Sequence, residues 1–266
     1  MIQLKGIDCT FHPGTPSEKR VIRGLNLEVG RGEFATIIGS NGAGKTTLFN
    51  LIAGTYTPTA GKVLFNGKDV THHPEYRRAK VLGRIFQDPL VGTASNMTLE
   101  DNMMITCTKG FKWPVISLNR RRREYFKRQL VDLKMGLETR MKENVSTLSG
   151  GQRQALTLLM MVLSRPDIAL LDEHTAALDP RNASIVMDLT TRFVKEHHLT
   201  TLMITHNMNH AITYGNRLIM MDGGEVIIDV SGDEKNELTV PKLLDMFSAI
   251  RRQAFENDEV LLAAKS

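Results

Sequence analysis

Cysteine is scarce in this chain. Cys9 and Cys107 are its only two, too few for a disulfide framework and without metal-ligand spacing. A disulfide-stapled secreted fold and a structural zinc site are both disfavoured. Long apolar runs are missing as well. The longest, "ALTLLMMVL" at Ala155–Leu163, falls far short of the ~20 residues a helix needs to cross a bilayer. If the chain works at a membrane, another chain does the crossing. No secretory leader is evident at the start, so a reducing cytosol is the expected compartment. Long repeats and low-complexity linkers are lacking too, which leaves a globular reading.

What is present fits that reading. The 266 residues are 41% apolar and 24% charged, enough for a sizeable core. The formal charge of +5 suits nucleotides, an anionic membrane face or nucleic acid, and selects none of them. "MIQLKGIDCTF" and "RVIRGLNLEV" alternate apolar and polar residues, as half-buried strands do. "GKVLFNGKDV" carries Asn66-Gly67 between two strand-like runs, a hairpin signal. These pieces predict an antiparallel sheet near the N-terminus. "FATIIG", "IALLD" and "TTLMITH" are short continuous apolar runs, suited to parallel strands buried on both faces. Helical patterns separate them, so an α/β core follows. Two more strands, "RLIMM" and "EVIIDV", are joined by Asp222-Gly223-Gly224. We expect one domain over 1–266: a core at 1–98 and 165–232, a helical insertion at 99–164 and a helical tail at 233–266. In the tail, Thr239 is a candidate N-cap before Val240, Leu243, Leu244, Phe247 and Ile250.

Two glycine-rich loops stand about a hundred residues apart. The first runs Gly39-Ser40-Asn41-Gly42-Ala43-Gly44-Lys45-Thr46-Thr47 and fits the P-loop pattern in full. It follows a strand and opens a helix, the context that the motif requires. Glycines let backbone N–H groups wrap phosphates. The helix N-terminus adds unpaired donors and the positive end of its dipole. Lys45 brings a mobile charge for the β- and γ-phosphates, and the Thr46 hydroxyl can ligate Mg²⁺. "IALLD" ends in Asp172-Glu173. A carboxylate at the C-terminal end of a parallel strand lies where open α/β sheets bind ligands. Asp172 suits Mg²⁺, directly or through water, and Glu173 suits the orientation of an attacking water. The second loop, "LSGGQ" at Leu148–Gln152, also leads into a helix.

With Gln87 after "RIF", "ALDP" at Ala177–Pro180 and His206 after "MIT", six motifs stand in order. In this the chain resembles the ATPase subunit of an ATP-binding cassette (ABC) transporter over almost its whole length. The resemblance implies a P-loop NTPase core, an N-terminal antiparallel β-subdomain and an inserted helical signature subdomain. It implies ATP and Mg²⁺, and a head-to-tail homodimer closing over two nucleotides. The P-loop of one subunit would hold the phosphates, and Ser149, Gly150, Gly151 and Gln152 of the other would cover them. This is why one chain needs two such loops. By the same resemblance Gln87 contacts Mg²⁺ and the water, His206 touches the γ-phosphate and Asp179 lies at the dimer seam, unless it serves as a helix cap. Phe11 admits two readings, an aromatic stacked on adenine or a core residue. His174 stands where the family more often has Pro. A variant without chemical duty is favoured there over a pH-sensitive contact.

The implied system is an importer driving a separate transmembrane permease, most like those for branched-chain amino acids. A small amino-acid-like solute and an extracytoplasmic solute-binding protein are expected with it. The chain itself would sit peripherally at the cytoplasmic face of the membrane. The competing class is a soluble ABC ATPase without a permease, such as one for cluster assembly. A DNA-maintenance role would need a long coiled coil between Gln87 and Leu148, and there is no room for one. The basic run "NRRRREYFKRQ" reads as a solvated helix face near an anionic membrane, not as a nucleic-acid site. The His72-His73 and His197-His198 pairs lack convergent ligand spacing, and the Met pairs read as packing. The segment 88–113, with Leu90, Val91, Met97, Leu99, Met103, Met104, Ile105, Phe111 and Trp113, is read as partly core and partly a groove for a permease helix.

Overall fold

A computed structural model describes residues 1–107 and 119–263, with side chains described through residue 250 and at Arg252. Phe111 and Trp113 lie outside the described residues. The strands are β1 (Ile2–Phe11), β2 (Lys19–Val29), β3 (Phe34–Gly39), β4 (Ala60–Phe65), β5 (Lys68–Asp69), β6 (Leu82–Ile85), β7 (Ile168–Asp172), β8 (Thr200–Ile204), β9 (Arg217–Asp222) and β10 (Glu225–Ser231). The helices are α1 (Lys45–Ala53), α2 (Glu75–Arg78), α3 (Leu99–Thr106), α4 (Arg120–Val131), α5 (Gly150–Leu163), α6 (Pro180–Glu196), α7 (Met208–Thr213), α8 (Gly232–Asn236) and α9 (Val240–Ala263).

Two sheets form. The alternating segments make an antiparallel sheet, ordered β2-β1-β4-β5, in which β4 and β5 are joined through Asn66-Gly67 as the sequence predicts. The continuous apolar runs make a second sheet, ordered β10-β9-β3-β8-β7-β6. It is parallel from β9 to β6, with β10 antiparallel at one edge. Every residue of β7 and β8 is buried, as strands covered on both faces require. Register sets the site. Ile204 pairs with Ile37 on one side and with Asp172 on the other. The C-terminal ends of β3, β7 and β8 are therefore level, and the three segments that follow them start from one edge.

Among its described residues, the stretch between β6 and β7 forms helices and no strand. Its longest helix, α5, starts at a capping box: the Gln152 N–H donates to Ser149 Oγ at 3.3 Å, and the Ser149 N–H donates to Gln152 Oε1 at 3.2 Å. From Gln154 to Val162 every residue of α5 is buried. Each buried Leu or Met there contributes about 1.5–3 kcal/mol by leaving water. Phe126 and Leu130 of α4, Leu99 and Met103 of α3, and Ile85 and Leu171 of the sheet share that core. A separate core fills the space between α1, the antiparallel sheet and the other face of the parallel sheet. The tail helix packs Leu243 against β9 and β10, and Thr239 Oγ1 accepts from the Lys242 N–H at 3.4 Å, as its N-cap reading anticipates.

Candidate functional site

The loop after β3 turns tightly into α1. Gly44 sits at φ +99°, a backbone that strains any residue with a side chain, and a Cβ there would also lie 3.2 Å from the Val21 carbonyl oxygen. No side chain caps α1, and its ladder begins only with Leu48 N–H to Gly44 O at 2.8 Å. The N–H groups of Lys45, Thr46 and Thr47 precede that ladder and point out of the helix end, an arrangement made for an anion. Lys45 is 6% exposed, and its Nζ donates to the Gly39 and Ser40 carbonyls at 2.8 and 3.0 Å. Burial holds its pKa below the usual lysine value, against the pull of Glu173 and Asp172.

The carboxylates come from the end of β7. Asp172 is buried, and burial raises its pKa, while the Arg84 guanidinium works the other way. Glu173 is a non-glycine residue at φ +47°, its N–H held by the Ile204 carbonyl at 3.0 Å. That left-handed backbone costs roughly 1–3 kcal/mol and persists only where the surroundings impose it. Its Oε1 is hydrogen-bonded to Nε2 of His206, which follows β8 and is 47% exposed.

Lys45, Glu173 and His206 share a cavity of about 430 Å³, whereas Asp172, buried at the end of β7, does not line it. Of the residues expected from sequence, Phe11, Asn41, Gly42, Gly44, Lys45, Thr46, Thr47, Glu173 and His206 line it. Gly39, Ser40 and Ala43 carry the loop without lining the cavity; Ser40 Oγ donates to Asp222 Oδ1 at 2.9 Å, and Ala43 is 1% exposed. Phe11 lines the cavity and packs on the core beneath, with the Tyr56 ring edge-on at 5.3 Å. Lys19, Val21, Asn50 and Tyr56 also line the cavity, and no motif announces them. Gln87 is exposed in the turn after β6 and lies outside the lining.

The second glycine-rich loop does not join this cavity within the chain: none of Ser149, Gly150, Gly151 and Gln152 lines it. The Ser149 oxygen accepts from Gln152, leaving its proton free to donate. Gly151 serves packing, because a Cβ there would meet Asn182 Cγ at 2.6 Å. Asn182 is in turn tied to Asp179, which N-caps α6 by accepting from the Asn182 N–H at 3.1 Å. The helix-cap reading of Asp179 is thus realised in the geometry.

His174 turns away from the site. It is 2% exposed, and its Nε2 meets Thr190 Oγ1 at 3.0 Å. The Thr190 proton goes to the Val186 carbonyl, so His174 is the donor. Burial lowers its pKa to about 4. The ring is neutral near pH 7, and a pH-sensitive contact at the site finds no support. A second cavity, about 600 Å³, adjoins the first through Glu173 and His206 and runs between α6 and α7 past Thr175, Ser184 and His210.

The donor set accommodates a magnesium–nucleotide complex. Among the described residues no hydrogen bond engages the Thr46 hydroxyl, and Asp172 supplies a carboxylate, both hard oxygen donors. Among the described residues no cluster of three or more His, Cys, Asp or Glu could hold a metal by itself.

Comparison with known proteins agrees with this geometry. A family model described as ABC transporter matches residues 22–176. The chain is 39% identical over 247 residues to a tyrosine transport ATP-binding protein of Clostridioides difficile (strain R20291), covering 93% of this chain and 98% of the relative. It is 32% identical over 227 residues to a lipoprotein-releasing system ATP-binding protein of Caulobacter vibrioides, covering 84% and 93%. Its fold matches, at TM-score 0.71 and 26% identity, the dimeric structure of an ATP-binding cassette in a post-hydrolysis state bound to ADP and Pi, over 87% of this chain and 98% of that one. With the family model spanning more than half of its length, and with P-loop, paired carboxylates and histidine gathered at one sheet edge, the chain belongs to the ABC transporter family, as one of its ATP-hydrolysing, ATP-binding subunits.

Proposed function

We propose that this chain hydrolyses ATP in a head-to-tail homodimer to drive uptake of a small, amino-acid-like solute through a separate membrane permease. One observation carries the reading. The P-loop cavity already holds a carboxylate and a histidine on its wall, yet the second anion-suited loop lies outside it. A second copy would bring that loop to the open side.

In this reading the N–H groups of the P-loop and Lys45 Nζ take the phosphates. Glu173 accepts the proton of the water that attacks the γ-phosphorus, as the bond to the β,γ-bridging oxygen breaks and ADP leaves. His206, in the tautomer protonated on Nε2, donates to Glu173 Oε1 and orients it. Thr46, Asp172 and Gln87 are the groups assigned to Mg²⁺, which would neutralise charge on the β- and γ-phosphates. Gln87 must move inward from its exposed turn to take part. Ser149, Gly150 and Gln152 act on the partner's nucleotide, and Gly151 sets the angle of their helix.

The amino-acid-like solute is supported by the tyrosine transport relative. A lipoprotein-releasing relative shows that similar cassettes serve other cargo. Four apolar side chains between residues 90 and 105 stand exposed, Leu90, Val91, Met97 and Ile105, and suit a permease contact better than a soluble ATPase without one. Among the described residues no helix is long and apolar enough to cross a membrane.

The shared site is tested by mixing subunits. Lys45→Ala and Ser149→Arg proteins should each be nearly inactive. Mixed, they should regain ATPase activity, because one of the two sites then has an intact P-loop and an intact covering loop. A mixture no more active than its components would count against the arrangement.

A further inference from the structure

Arg84 carries a charge into the protein interior beside the end of β7. It lies directly across from Leu170 in the β6–β7 ladder. Asp172, two residues on, is its diagonal neighbour on the same face. The side chains of Arg84 and Asp172 are only 10% and 11% exposed. Arg84 Nη1 donates to Asn50 Oδ1 of α1 at 2.8 Å, and Nη2 reaches Asp172 Oδ2 at 3.5 Å. Its guanidinium lies 4.6 Å from the centre of the Phe86 ring, which fixes the plane of the fork. Asn50 itself lines the nucleotide cavity, and its carbonyl accepts from the N–H of Tyr56, another lining residue, at 3.1 Å.

We propose that Arg84 is a positioning residue for divalent-cation binding: one planar fork ties the P-loop helix to the Asp172 carboxylate and sets the distance between them. The inference rests on reading Asp172 as a metal-binding carboxylate. Two physical points support it. A desolvated guanidinium is costly unless partnered, and the partners here are one neutral amide and one carboxylate, from two different elements of the site. The contact to Asp172 is made to Oδ2 alone and is the longer of the two, so it leaves the other carboxylate oxygen available.

The test separates positioning from mere charge. Arg84→Lys keeps the charge but has no fork to span Asn50 and Asp172. Mn²⁺ is titrated, by its electron paramagnetic resonance signal, into folded protein loaded with a non-hydrolysable ATP analogue. Positioning predicts Mn²⁺ affinity reduced about tenfold in Arg84→Lys, with analogue affinity in the absence of metal unchanged. Asn50→Ala, which removes the other anchor and retains Arg84, should weaken Mn²⁺ in the same direction and carries the test if Arg84→Lys does not fold. Unaltered Mn²⁺ affinity in the folded variants overturns the proposal. Asp172→Asn is the control: if it binds Mn²⁺ as the parent does, the metal reading of Asp172 fails instead.

Discussion

His174 stands one residue past the proposed base, yet it is a core histidine. The strand end supplies the reason: Glu173 takes a left-handed backbone that aims it at the cavity, and the next side chain falls against α6, where Thr190 accepts its hydrogen bond. The sign of its contribution to stability follows from its pKa, about 4 in the folded chain against 6.5 unfolded. Below pH 6.5 the unfolded chain takes up a proton that the folded chain refuses. Stability is therefore fully present above pH 6.5 and is lost as pH falls towards 4, by on the order of 3 kcal/mol from this group. Urea unfolding at pH 7 and pH 5 checks it: His174→Gln should show a shallower decline than the parent, and an equal decline would remove His174 as the cause. The sequence placed the side chain next to the chemistry but could not say which way it points, because direction depends on one backbone torsion at Glu173.

At the scale of elements, burial divides the segment after Gln87. Leu99 and Met103 of α3 are fully buried, while Leu90 and Met97 are 49% and 40% exposed. Leu90→Glu and Met97→Glu should each leave a folded protein that binds ATP with the parent's affinity and fails to co-purify with its permease. Loss of more than a few degrees of melting temperature in both would make these residues core instead. Leu99→Glu, by contrast, should not fold, since it places an unpaired carboxylate in the core. Strands and glycine loops were legible in the sequence because each has a local signature: alternation, continuous apolar runs, the spacing Gly39-x4-Gly44-Lys45. Lys19, Asn50, Tyr56 and Arg84 were not, because they meet only through strand register and helix packing. The basic run shows the same limit. Arg123 makes a two-bond pair with Glu100 of α3 at 2.7 and 3.0 Å, a contact between elements that no spacing predicts.

For the molecule as a whole, the central claim is that Glu173 is the base in a site completed by a second copy. The sheet edge brings P-loop, Glu173 and His206 into one cavity, and the covering loop stays outside it. Both parts of the claim meet in one variant. Glu173→Gln keeps the shape and every phosphate donor, and removes only the group that accepts the proton. Gel filtration of this variant with and without Mg-ATP, with phosphate release followed in parallel, is the most direct measurement. The account predicts hydrolysis lowered by roughly 10²–10⁴-fold and a shift from monomer to dimer that requires ATP. A Glu173→Gln protein that hydrolyses at the parent rate and elutes as a monomer with saturating Mg-ATP would contradict it.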